Sequence, residues 1–126
     1  MYKVEVNNSG DYLFEVQARD NKFVIDPLGK GISPGETLLA SLGSCMSFFC
    51  RRYIESANLG IKDFSVILEG EFTRDAPVSL KEIRVLLDFK GSRIEDKRKA
   101  ALLEFIKNCP IGNTLQANPV ITVNTI

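Results

Sequence analysis

The sequence predicts one α+β domain spanning residues 1–126. Three observations carry this. Short stretches alternate apolar and polar residues, two longer stretches have helical periodicity behind capping signals, and the order runs strands, long helix, strands, shorter helices. Chains of about 100–150 residues usually fold around one core.

Tyr2, Val4 and Val6 alternate with Lys3 and Glu5, the pattern of a strand with one buried face. Asn7-Asn8-Ser9-Gly10 is turn chemistry, because Asn and Gly tolerate positive φ. Tyr12, Phe14 and Val16 alternate again, and Phe23-Val24-Ile25 follows the polar turn Arg19-Asp20-Asn21-Lys22, giving three short antiparallel strands.

A long helix comes next. Ser33 is placed as N-cap, Pro34 as first helical residue, and Glu36 three positions on completes a capping box. The helix is expected to reach about Ala57 and stop at Asn58-Leu59-Gly60. Leu38, Leu42, Cys45, Phe49 and Tyr53 form one stripe, flanked by Leu39, Met46, Cys50 and Ile54. A helix so broadly apolar is expected to be central and covered on more than one side.

Phe64, Val66 and Leu68 alternate on a fourth strand that Gly70 bends, and Ile83, Val85, Leu87 and Phe89 on a fifth. Ser92 and Glu95 repeat the capping-box spacing before a second helix carrying Leu102, Phe105 and Ile106. Asn108-Cys109-Pro110 breaks it, a short helical turn follows over residues 111–116, and Val120 to Val123 is expected as a last strand.

Composition removes several function classes. Sixteen basic and sixteen acidic side chains cancel, so electrostatics favours neither nucleic acid nor an anionic membrane as partner. The longest uncharged apolar stretch, Leu38 to Cys50, is thirteen residues, short of the roughly 18–20 that span a bilayer. With no apolar leader at the N-terminus either, the expected location is cytoplasmic. Histidine is absent, which excludes a Cys-His or Ser-His pair and any histidine metal ligand. Three cysteines are too few for a disulfide scaffold. No cofactor or metal is expected: there is no C-x₂-C pair, and Gly29-Lys30-Gly31 lacks the order of a phosphate loop.

Without histidine, the cysteines are the candidates for chemistry. Cys45 lies mid-helix among small residues, in Gly43-Ser44-Cys45-Met46. Cys109 precedes Pro110, so it would cap the short helix, where a thiolate is favoured. Each also fits the commoner role of a free cysteine, a small buried apolar side chain. Cys50 is five positions after Cys45, about 140° around a helix, and reads as packing.

The segment Ser33-Pro34-Gly35-Glu36-Thr37-Leu38-Leu39-Ala40-Ser41-Leu42-Gly43-Ser44-Cys45 resembles the approach to the first cysteine of the OsmC/Ohr family, the osmotically inducible protein C and organic hydroperoxide resistance proteins. Asn108-Cys109-Pro110-Ile111-Gly112-Asn113-Thr114-Leu115 resembles the surroundings of that family's second cysteine, and the gap and element order are similar too. The resemblance implies an intertwined α+β homodimer with two central helices packed together and sites at the subunit interface. It also implies a thiol-dependent peroxidase, in which Cys45 attacks an organic hydroperoxide and Cys109 resolves the product as a disulfide. A thiol or dithiol reductant would then restore the pair. In the family's hydroperoxide reductases a glutamate directly follows the helix-opening proline, and an N-terminal arginine helps ionise the first cysteine. Here Gly35 follows Pro34 and the acid is Glu36, a candidate catalytic residue whose capping box alone would also explain it. Arg19 is the one arginine before the helix, and Arg52 lies on the stripe of Cys45. The pattern is that of a divergent branch. The alternative reading is a non-catalytic dimer of the same fold, binding a small ligand or associated with stress, with both cysteines in the core.

Overall fold

Five antiparallel strands and three α-helices make up the computed structural model, which describes residues 1–126. They fall into two units, Met1–Ala40 and Ser41–Ile126.

The first unit holds a three-stranded sheet of β1 (Glu5–Asn7), β2 (Phe14–Ala18) and β3 (Asn21–Ile25), in that order. Val16 pairs with Val6 on one side and Phe23 on the other. Tyr2 and Val4, expected in the first strand, lie outside it. Glu5 already pairs with Gln17, and one residue beyond Ala18 the chain turns away at Arg19, whose φ is +57°. The loop before β2 is held by Asn8, whose amide donates to the carbonyls of Asp11 and Leu13. After β3, the buried Asp26 carboxylate accepts from the backbone N–H groups of Leu28 and Gly31. Val16 is this unit's one buried apolar side chain; Tyr12, Leu13, Phe23, Val24, Leu28 and Ile32 are exposed.

Helix α1 (Pro34–Ser56) begins as its sequence dictates. The Ser33 hydroxyl accepts from the Glu36 N–H at 3.2 Å, and the Glu36 carboxylate accepts from the Ser33 N–H at 2.9 Å. The helix ends where Asn58 takes a φ of +51° and the Leu59 N–H reaches back to the Ile54 carbonyl, satisfying a carbonyl the helix would leave open.

In the second unit, β4 (Ser65–Phe72) pairs with β5 (Leu80–Asp88), with a shift of register at Gly70 where the bend was expected. Helix α2 (Asp96–Phe105) leads through a 3₁₀ turn (Ile106–Asn108) to α3 (Pro110–Gln116). Cys50, Ile54, Ile61, Leu102 and Ile106 form the core, with Phe49, Tyr53, Phe64, Leu87 and Phe89 packed around them. Phe105 meets Phe49 and Tyr53 edge-on, with ring centroids 5.9 and 5.8 Å apart. No helix is long and apolar enough to cross a membrane.

Two local expectations fail. Ser92 and Glu95 form no capping box, because the Ser92 N–H is taken by the Phe89 carbonyl in a turn through Lys90 and Gly91, both at positive φ. Ile94 then packs on the core, and α2 starts at Asp96. Val120 to Val123 form no strand and are exposed, since no strand edge pairs with them within the chain.

Candidate functional site

Cys45 and Cys109 come together where α1 meets the start of α3. Cys109 caps α3 as its spacing to Pro110 requires, its Sγ accepting from the Gly112 N–H at 3.3 Å. Gly112 brings the same turn against α1, since a Cβ there would lie 3.5 Å from a Leu42 methyl. The Cys45 thiol is the side-chain neighbour of Cys109, and no bond joins the two sulfurs. Cys45 is partly accessible, whereas Cys109 is 1% exposed.

The surroundings of Cys109 act on its proton in opposing directions. Burial pushes its pKa up, and the neighbouring Cys45 thiol pushes the same way. The N–H groups of Gly112 and Ile111 oppose this, because they stabilise a thiolate. Burial dominates, so Cys109 holds its proton more firmly than an ordinary thiol. The pair therefore joins a reachable sulfur to a sealed, protonated one.

A third cysteine is excluded from this chemistry by its position. Cys50 is fully buried among Ile54, Leu102 and Ile106, and burial raises its pKa as well. The helical phase that separates it from Cys45 was legible in the sequence.

An OsmC-like protein family model matches residues 27–124, most of the chain and both cysteine segments. The chain belongs to the OsmC-like family. No curated protein matches its sequence, but solved structures do match. An OsmC-like protein from Mycoplasma pneumoniae superposes with a TM-score of 0.79 at 18% identity, covering 92% of this chain and 87% of that one. An organic hydroperoxide resistance protein from Legionella pneumophila does so at 0.65 and 18%, covering 94% and 90%. One from Elizabethkingia anophelis gives 0.64 and 16%, covering 94% and 91%. At these identities the likeness is one of fold, the mixed α+β arrangement of antiparallel sheets and helices expected of this chain.

The remaining candidates of this OsmC-like chain have other engagements. The Glu36 carboxylate is bound to the N-terminus of α1, and its pKa is lowered by the hydrogen bond from the Ser33 N–H and then by the Ser33 hydroxyl. Arg51 donates to the carbonyls of Ile61 and Lys62 and stacks over Phe64, tying α1 to the loop after it. Arg52 lies over the Phe48 ring, 5.7 Å from its centroid. Of the apolar residues that follow Cys45, Phe49 is part of the core, Phe48 is exposed, and Met46 lines an apolar groove with Leu86, Leu87, Phe89, Leu103 and Ile106. Sequence reasoning missed the backbone donors of Ile111 and Gly112. Their signal was the Cys-Pro-x-Gly spacing, which places Gly112 at the third helical position, where an N-cap side chain finds its donor.

Proposed function

We propose that this OsmC-like protein is a thiol peroxidase that reduces organic hydroperoxides, with Cys45 as nucleophile and Cys109 as resolving thiol. The observation that carries the reading is the pairing itself: two thiols side by side, the one on α1 reachable and the one on α3 sealed. Family membership and the fold shared with organic hydroperoxide resistance proteins support a role in peroxide stress.

The chemistry follows from the pair. The Cys45 thiolate attacks the terminal oxygen of ROOH and the O–O bond breaks. RO⁻ leaves and takes a proton as alcohol, while Cys45 becomes a sulfenic acid. The Cys109 sulfur then attacks the Cys45 sulfur. Hydroxide departs with the proton Cys109 gives up, as water, and a disulfide remains. A thiol or dithiol supplies the two electrons that reopen it. Because Cys109 stays protonated and buried, it does not compete for the first oxidation.

The assembly belonging to this reading is a homodimer. A forty-residue unit with Val16 as its one buried apolar side chain cannot hold itself together by a core of its own. Phe48 on α1 is likewise 55% exposed. A second copy of the chain would cover these surfaces, and the location consistent with free thiols is the cytoplasm.

The direct test of the nucleophile is Cys45→Ser, assayed for consumption of cumene hydroperoxide in the presence of a dithiol. Turnover should vanish, because a serine hydroxyl is a far weaker nucleophile than a thiolate. Unchanged turnover would remove Cys45 from the mechanism.

A further inference from the structure

We propose that the disulfide of the oxidised protein is reopened from one side only, with the reductant attacking the sulfur of Cys45 and Cys109 leaving. The inference rests on the thiol-peroxidase reading and adds the direction of its second half-reaction.

Thiol–disulfide exchange is an in-line displacement: the incoming thiolate approaches the attacked sulfur from the side opposite the sulfur that leaves. The attacked sulfur must therefore be open to its surroundings, while the leaving sulfur need not be. Cys109 is sealed within the unit Ser41–Ile126 itself, at 1% exposure, at the cap of α3, whose first turn lies against Leu42 of α1 at Gly112. Association with a second copy can only remove accessible surface, so it does not open a path to Cys109. Cys45, by contrast, has an accessible side in the single chain.

The leaving side is built for departure. As the bond breaks, the electron pair goes to the Cys109 sulfur, which already accepts from the Gly112 N–H at 3.3 Å. Burial then favours its protonation, and a protonated sulfur cannot attack back. The balance is simple. RS⁻ and Cys45–S–S–Cys109 give RS–S–Cys45 and the Cys109 thiolate, which takes up a proton. A second RS⁻ attacks the reductant's sulfur in the mixed disulfide, giving RSSR and returning Cys45 as thiolate. Two thiols are oxidised and one protein disulfide is reduced.

The test uses 2-mercaptoethanol on the oxidised full-length protein, with N-ethylmaleimide in concentrated urea quenching at early times, so that buried thiols are trapped too, and peptide mapping without reduction. Mercaptoethanol should be found on Cys45 and maleimide on Cys109, at least about tenfold in excess over the reverse arrangement, a bias of about 1.4 kcal/mol between the two attacks. Mercaptoethanol mainly on Cys109, or equally on both, overturns the proposal. A second arm needs no peroxide. Because exchange needs an open sulfur in either direction, an aromatic disulfide such as 5,5′-dithiobis(2-nitrobenzoate) should label Cys45 in Cys109→Ser at least about a hundredfold faster than Cys109 in Cys45→Ser. Equal labelling rates overturn it. If hydroperoxide forms no Cys45–Cys109 disulfide, the peroxidase reading fails, and the labelling arm still decides which sulfur exchanges.

Discussion

The side chain of Leu68 on β4 occupies the space that a Cβ on Gly43 of α1 would need. Gly43 is buried one turn before Ser47 and two residues before Cys45, so this contact sets how closely the sheet approaches the helix that carries the thiol. A mid-helix glycine costs about 1 kcal/mol relative to alanine, and here the close approach explains its presence. Gly43→Val should destabilise the protein by about 1–3 kcal/mol through overpacking, with Gly43→Ala affected less. Urea denaturation measures both, and a Val variant as stable as the parent would contradict the contact.

The capping box at Ser33 and Glu36 makes a different prediction. Ser33→Ala should cost about 1 kcal/mol of stability. The folded-state pKa of Glu36 lies below its ordinary value of 4.5, so its carboxylate contributes stability that is present above that pH. The contribution fades as pH falls through the lowered, folded value. Glu36→Ala should therefore flatten the acid limb of a stability–pH curve. Glu36→Gln keeps the acceptor of the box and should keep turnover, if the carboxylate serves the helix alone. Lost turnover with an intact fold would place its charge in the chemistry.

Cys50 sets the behaviour at high pH. Burial holds its folded pKa above the ordinary 9.0. The stabilisation from keeping it neutral is complete below pH 9.0 and is lost as pH rises through the folded value. Cys50→Ala should lose about 1 kcal/mol at neutral pH, as small core truncations do, yet decline less steeply than the parent above pH 9.0. Parallel alkaline limbs for the two proteins would argue against a buried thiol there. Peroxide turnover should survive the substitution.

The association state follows from the exposed apolar residues. Light scattering of the full chain in dilute solution should give twice the 14.0 kDa of one chain. A clean monomer would contradict the proposed assembly.

Much of this arrangement was legible in the residues, because most of it is decided locally. Ser33, Pro34 and Glu36 specify where α1 starts through bonds that span three residues, and Asn58 ends it by tolerating a positive φ. Cys109 could be placed at the cap of α3 from Pro110 alone. Legibility stopped where a competing turn or a distant partner decides. Ser92 and Glu95 have the spacing of a cap, but the Phe89 carbonyl claims the Ser92 N–H first. Val120 to Val123 have strand propensity, yet propensity supplies no backbone to pair with. The meeting of Cys45 and Cys109 is also a tertiary fact. Sixty-three residues lie between them, and no local rule brings the first turn of α3 against α1.

The central claim is that Cys45 and Cys109 form one redox unit. Treating the reduced protein with a single equivalent of cumene hydroperoxide, then mapping its peptides without reduction, tests this most directly. The account predicts an intramolecular Cys45–Cys109 disulfide in the parent, and in Cys109→Ser a Cys45 sulfenic acid that dimedone traps. Peroxide consumed with both thiols left free, or a disulfide joining Cys45 to Cys50, would contradict it.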